Sequence, residues 1–80
     1  MKVIKSIIFD NKEAKLVLLK DNILQVFYDD MVVSTHKGYT WNNIKNEPEL
    51  QLVLLQLEVE VYVKKKQVEE ELDMLVKKYL

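Results

Sequence analysis

The residues best suited to chemistry lie in one short stretch near the middle of the chain. It combines an imidazole, two aromatic rings with polar groups and two amides around a single glycine, and its members are His36, Lys37, Tyr39, Trp41, Asn42 and Asn43. A glycine-containing connection of this kind is a common place for a binding site. The favoured interpretation is a structural turn in which Tyr39 and Trp41 cap the core, and a binding loop is the functional alternative.

Two reactive sites could be built around His36, the only histidine. Asp29 and Asp30 with His36 would supply carboxylate and imidazole ligands for a metal, but adjacent aspartates are more typical of a hairpin turn. Ser6 or Ser34 with His36 and an aspartate would supply the parts of a hydrolase triad, but the glycines of a nucleophile elbow are missing. We therefore expect no catalytic residue, no metal ligand and no cofactor.

The composition limits the other kinds of site. The 80 residues include 12 Lys, no Arg, 13 acidic residues and no Cys, which gives a formal net charge of −1. The lack of cysteine excludes disulfides and thiolate chemistry. A balanced charge without arginine offers little affinity for a phosphate backbone. Nucleic acid is therefore a less favoured partner than protein.

The length indicates a small domain that gains from a partner. A chain of 80 residues buries about 60–65% of its unfolded surface, and such domains often need a second subunit for stability. No signal peptide and no run of ~18 apolar residues is visible, so we expect a cytoplasmic protein outside the membrane. The Lys- and Glu-rich composition is weakly typical of heat-adapted proteins, and small stand-alone proteins are common in phage and mobile genomes.

The first 35 residues predict an antiparallel β-meander of three to four strands. The β-favouring runs are Val3–Phe9, Ala14–Leu19, Ile23–Tyr28 and a shorter Met31–Thr35. Between them lie Asp and Asn residues, which tolerate the left-handed conformations that tight hairpins require. Apolar side chains occupy both faces of the second and third runs, which predicts a sheet that is covered on both sides.

The segment LQLEVEVYVKKK, residues 55–66, fits both a strand and a helix. In a strand, its alternating apolar and polar residues would continue to Val63. In a helix, it belongs to a stripe of apolar positions that are spaced by three and four residues and interrupted only at Lys64. The apolar positions of this stripe are Leu50, Leu54, Leu57, Val61, Val68, Leu72, Leu75 and Tyr79.

Three features favour the helix. No Gly, Pro, Asn, Asp, Ser or Thr lies between Glu49 and Leu72 to mark the end of a strand. Glu and Lys residues are paired at i,i+4 spacing in this region. A strand of about 14 residues would also exceed the usual length. We predict one helix over residues 47–79, and a strand to Val63 followed by a helix from about residue 65 is the alternative.

The predicted helix is apolar on two opposite sides and longer than its own domain. About 32 residues at 1.5 Å each give a rod of ~48 Å, whereas a small domain is about 30 Å across. One apolar side can pack on the sheet, and the other requires a second chain, most simply a symmetric copy. We assign the contact between subunits to Leu52, Leu55, Val59, Tyr62, Val63, Val68, Leu72, Leu75 and Tyr79.

The sequence therefore predicts a single α+β domain over residues 1–80. A β-meander at 1–35 is followed by a connection at 36–46 and a long coiled-coil-like helix at 47–79. We expect a non-enzymatic homodimer or higher oligomer that is assembled through this helix and binds a protein target as an adaptor, inhibitor or regulator. A dimeric nucleic-acid-binding regulator that uses Lys64–Lys66 or a hairpin is the alternative.

Overall fold

The computed structural model describes residues 1–79 and contains one four-stranded sheet and two helices. The strands are antiparallel and lie in the order β1-β2-β3-β4. This architecture confirms the predicted α+β class, with a meander of four strands before a long C-terminal helix. The elements are β1 (Lys2–Phe9), β2 (Lys12–Leu18), β3 (Leu24–Tyr28), β4 (Met31–His36), α1 (Gly38–Ile44) and α2 (Pro48–Tyr79).

Short turns made of Asp and Asn connect the strands. The β1–β2 and β3–β4 turns each place two consecutive residues at positive φ, between 52° and 65°: Asp10 with Asn11, and Asp29 with Asp30. This pair of conformations matches the right-handed twist of the flanking strands, and Asp and Asn adopt it at low cost. Asp21 and Asn22 also have positive φ, in a 3-10 turn between β2 and β3.

Helix α2 crosses one face of the sheet and completes the core. Leu55 and Val59 are 0% exposed, and burial of each such side chain contributes about 1.5–3 kcal/mol. Because α2 runs without a break through residues 50–63, the strand alternative for this segment is wrong. The sheet residues packed with this pair are Ala14, Leu16, Leu24, Val26 and Tyr28.

The opposite face of the sheet has no helix over it within residues 1–79. Side chains alternate along a strand, so Val3, Ile8 and Val32 point away from α2. Their exposed fractions are 51%, 70% and 48%. Val17 on the same face is only 2% exposed, because it lies on an inner strand between Val3 and Gln25. The chain itself therefore covers one of the two faces that we expected to be covered.

Gln51 fixes the short helix α1 against α2. Its side chain is buried, and Nε2 donates hydrogen bonds to the carbonyl oxygens of Ile44 at 2.9 Å and Lys45 at 3.2 Å. Carbonyl groups at the C-terminal end of a helix have no backbone donor within that helix. Gln51 therefore satisfies the end of α1 from the first turn of α2.

Candidate interaction surfaces

The C-terminal half of α2 projects beyond the domain. All residues of Lys64–Tyr79 are exposed, and Val63 is the last helix residue that packs against the core. The molecule measures 51 × 23 × 19 Å, so the length of α2 sets its long axis. A helix as short as this projecting half is only marginally stable in water when it lacks tertiary contacts. Within residues 1–79 the projecting half therefore lacks the tertiary packing that usually stabilises a helix.

An apolar stripe follows α2 along the side that faces away from the sheet. Its first four positions recur 18 residues later, and 18 residues make five full helical turns. Both sets therefore face the same direction, opposite to Leu55 and Val59. Leu54 is half-buried, and the other seven are 48% to 74% exposed. We call the following residues the outer stripe: Leu50, Leu54, Leu57, Val61, Val68, Leu72, Leu75 and Tyr79.

The chain exposes more surface than a compact protein of its mass. Its accessible surface is 6059 Å², whereas a compact monomer of 9.5 kDa exposes about 5,000 Å². The excess of about 1,000 Å² is similar to the ~800 Å² that each partner buries in a standard interface. A contiguous apolar surface of this kind is typical of an interaction site.

No helix among residues 1–79 is long and apolar enough to cross a membrane.

Five of the nine residues that we predicted to form the contact between subunits lie off the outer stripe. Leu55 and Val59 are fully buried against their own sheet, which leaves them no exposed surface for a second chain. Tyr62 and Val63 pack against the same core and are only partly exposed. Leu52, at 36% exposed, lies beside this inner side and not on the outer stripe.

The remaining predicted interface residues do lie on the outer stripe. Val68, Leu72, Leu75 and Tyr79 are 52% to 74% exposed, and their contact with a second chain stays a prediction. The sequence assignment left out the first half of the outer stripe, although the three-and-four spacing already placed it with the second half; these residues are Leu50, Leu54, Leu57 and Val61. Spacing identified both apolar sides of α2 and could not tell which of them rests on the sheet.

The predicted binding loop consists of the end of β4 and helix α1. Trp41 packs against the core as expected for a capping residue, whereas Tyr39 is 70% exposed and does not. His36 is held between two neighbours, with Nε2 at 3.1 Å from Glu58 Oε1 and 3.4 Å from Ser34 Oγ. The other exposed residues of this predicted loop are Lys37, Asn42 and Asn43.

The geometry around His36 does not assemble the reactive sites weighed from the sequence. Asp29 and Asp30 lie at the opposite end of β4, and no metal-binding cluster of His, Cys, Asp and Glu occurs within residues 1–79. Ser34 and Glu58 both approach the same nitrogen of His36. A catalytic triad requires the nucleophile and the carboxylate on different ring nitrogens.

A shallow cleft of about 410 Å³ lies where α2 leaves the sheet. Tyr28 and Tyr62 line it, with ring centroids 6.0 Å apart in an edge-to-face arrangement. Asp10, Asp29 and Lys66 also line it, among other charged groups. Because the lining carries both signs of charge, the cleft favours no particular class of ligand.

Comparison with known proteins finds no family model, no curated protein and no solved structure that matches this chain. A function for this protein therefore has to be inferred from its own surfaces. Of these, the outer stripe is the most extensive.

Proposed function

We propose that this chain is a small, non-enzymatic homodimeric binding protein that is assembled through the outer stripe of α2 and acts on a protein target. One observation carries the proposal: an apolar stripe, interrupted only at Lys64, follows a helix whose last 16 residues have no packing partner within residues 1–79. Apolar side chains in this arrangement favour association, because burial against another chain removes them from water.

A second copy of the chain suits the outer stripe better than an unrelated surface does. Within each half of the stripe, the spacing of four, three and four residues is the spacing by which two helices pack side by side. A second copy also supplies a stripe of equal length. Closed two-fold pairing then covers the projecting half of both stripes in a single contact.

The dimer would leave one further surface on each chain free for a target. The α1 surface, which we define as Lys37, Tyr39, Asn42 and Asn43, belongs to a different helix and its N-terminal flank, and shares no residue with the outer stripe. Exposed tyrosine is enriched at protein interfaces, because it offers a large apolar ring together with a hydroxyl group. Two copies of the α1 surface in one dimer would also increase the apparent affinity for a repeated or dimeric target. We propose the α1 surface as the target-binding site.

Nucleic acid is the weaker candidate. Lys64–Lys66 are followed on the same exposed half of α2 by Glu69–Glu71. The acidic group offsets the attraction that a phosphate backbone would feel from the lysines. No specific observation favours this alternative.

The solution mass tests the assembly. We expect light scattering after size exclusion to give twice the chain mass of 9.5 kDa at micromolar concentration, because burial of the outer stripe stabilises the dimer. Dilution should then shift the mass towards that of one chain. A mass of 9.5 kDa at every concentration up to about 1 mM, a range that detects even weak association, would refute the proposal.

Substitution of two exposed tyrosines distinguishes assembly from target binding. Tyr39 on the α1 surface is 70% exposed and Tyr79 on the outer stripe is 74% exposed. The assay uses a protein that is retained from host lysate by immobilised wild-type chain, then identified and purified. Tyr39→Ala should weaken binding of this protein about tenfold and leave dimerisation unchanged. Tyr79→Ala should weaken dimerisation and leave the intrinsic affinity of the α1 surface unchanged.

The two variants act as controls for each other, since both remove one exposed ring. Unchanged target affinity in Tyr39→Ala would exclude the α1 surface as the binding site. Equal effects of both variants on both measurements would show that the two surfaces are not independent.

A further inference from the structure

We infer that the second copy packs antiparallel to the first, with the two-fold axis at Val68, so that Lys64–Lys66 of each chain faces Glu69–Glu71 of the other. This inference rests on the proposed homodimer and specifies its geometry. The observations that support it are the positions of the charged residues on either side of the outer stripe. These residues lie mainly on the projecting half of α2, where every residue is exposed.

Three antiparallel registers match the spacing of the outer stripe. One of them, with the two-fold axis at Val61, leaves Leu75 and Tyr79 outside the contact and so does not cover the end of the projecting half. Full overlap of the stripes places Val61 opposite the partner's Val68. A shift by seven residues, which is two helical turns, places Val61 opposite the partner's Leu75 and Val68 opposite the partner's Val68. The shifted register leaves Leu50 and Leu54 outside the contact. Leu54 already packs against its own core, so little apolar contact is lost.

Full overlap brings like charges together on both flanks of the stripe. It places Lys64 beside the partner's Lys64 on one flank and Lys65 beside the partner's Lys65 on the other. Glu58 would also lie beside the partner's Glu69. Like charges at this separation oppose association. The register with the larger apolar overlap is therefore electrostatically unfavourable.

The shifted register brings opposite charges together on the same flanks. Lys64 then lies beside the partner's Glu71, Lys65 beside the partner's Glu69, and Glu60 beside the partner's Lys78. In each pair the two residues differ by no more than about 3 Å along the helix axis. Two-fold symmetry repeats every pair, which gives six favourable contacts. By the same measure Glu69 lies beside the partner's Glu69, so one like-charge contact opposes them.

Lys64, the residue that interrupts the apolar stripe, separates antiparallel from parallel packing. A parallel pair would also place Lys64 near the partner's Glu69, but it would bring the two Lys64 side chains together at the centre of the contact. In the shifted antiparallel pair, Lys64 lies opposite the partner's Leu72. Its carbon chain can cover that leucine while the ammonium group reaches the partner's Glu71.

Cysteine cross-linking tests the orientation and register, because the chain has no cysteine of its own. We expect mild oxidation to join Val61→Cys to Leu75→Cys in a mixture of the two variants, and not to join either variant to itself. Self-linking of Val61→Cys would indicate a parallel dimer or an antiparallel dimer with its axis at Val61, and only the parallel dimer would also self-link Leu75→Cys. Linking of Val61→Cys to Val68→Cys would indicate full overlap. Either result would overturn the inferred geometry.

A charge exchange tests the central ion pair. Lys64→Glu and Glu71→Lys should each weaken dimerisation about tenfold, since each replaces two attractions by two repulsions. The double variant Lys64→Glu/Glu71→Lys should recover most of the loss. The control Lys64→Glu/Glu69→Lys should not recover it, because it also opposes Lys65 to a new lysine. Recovery in the control alone would support parallel packing.

The solution mass of the same samples separates this inference from the proposed function. A wild-type chain that is monomeric would refute the homodimer itself. A dimeric chain with the wrong cross-links would refute only the antiparallel arrangement at Val68.

Discussion

Leu55→Ala should lower the free energy of unfolding by about 3 kcal/mol, whereas Leu57→Ala should lower it by less than about 1 kcal/mol. Leu55 is 0% exposed in the core and Leu57 is 55% exposed on the outer stripe. The two substitutions remove the same atoms from the same helix, two residues apart, so the difference reports burial and not helix propensity. Only the first leaves a cavity between α2 and the sheet.

Urea unfolding followed by the fluorescence of Trp41 measures both values at a protein concentration low enough to keep the chain monomeric. At higher concentration Leu57→Ala should weaken dimerisation, because Leu57 lies in the proposed contact. Equal losses for the two variants in the monomer would contradict the packing of α2. A larger loss for Leu57→Ala would mean that the helix rests on the sheet by its other side.

Val68→Asp should raise the dissociation constant of the dimer by at least about 100-fold without unfolding the domain. Val68 is 55% exposed and lies beyond the last core contact of α2. An aspartate there would place an unpaired charge in the apolar contact between two helices, opposite the same substitution in the partner. Light scattering should therefore give the mass of a single chain at concentrations where the wild type is dimeric.

Met74→Asp is the matched control for Val68→Asp. Met74 is 71% exposed on the same projecting half but lies off the outer stripe, so its replacement should leave the dimer intact. Amide exchange in Lys64–Tyr79 should become faster in Val68→Asp alone, since the projecting helix loses its partner. A dimer that survives Val68→Asp, or one that both variants dissociate, would exclude the outer stripe as the interface.

These expectations depend on a difference between the two opposite sides of α2: one packs on the sheet and the other is exposed. The inner side, through Leu55 and Val59, holds the helix on the sheet. The outer stripe continues past the end of the sheet and is exposed over the projecting half. A single helix thereby belongs to the core of one domain and, in the proposed dimer, to a contact between two domains.

The sequence alone determined the architecture. Asp and Asn marked the turns between strands, and the four strands begin and end within two residues of the predicted positions. The lack of a breaking residue between Glu49 and Leu72 predicted one continuous helix, which begins at Pro48, one residue later than expected. These features follow from local conformational preference and side-chain periodicity, which are properties of neighbouring residues.

The tertiary structure alone decided which side of α2 rests on the sheet. The two apolar sides have similar spacing and composition, so periodicity does not predict which of them packs on the sheet. Contacts between residues distant in sequence select the side that faces the sheet. Gln51 donates to the end of α1, Glu58 pairs with His36, and Tyr62 contacts the ring of Tyr28. Each of these requires one orientation of the helix, and that orientation places Leu55 and Val59 inside and the outer stripe outside.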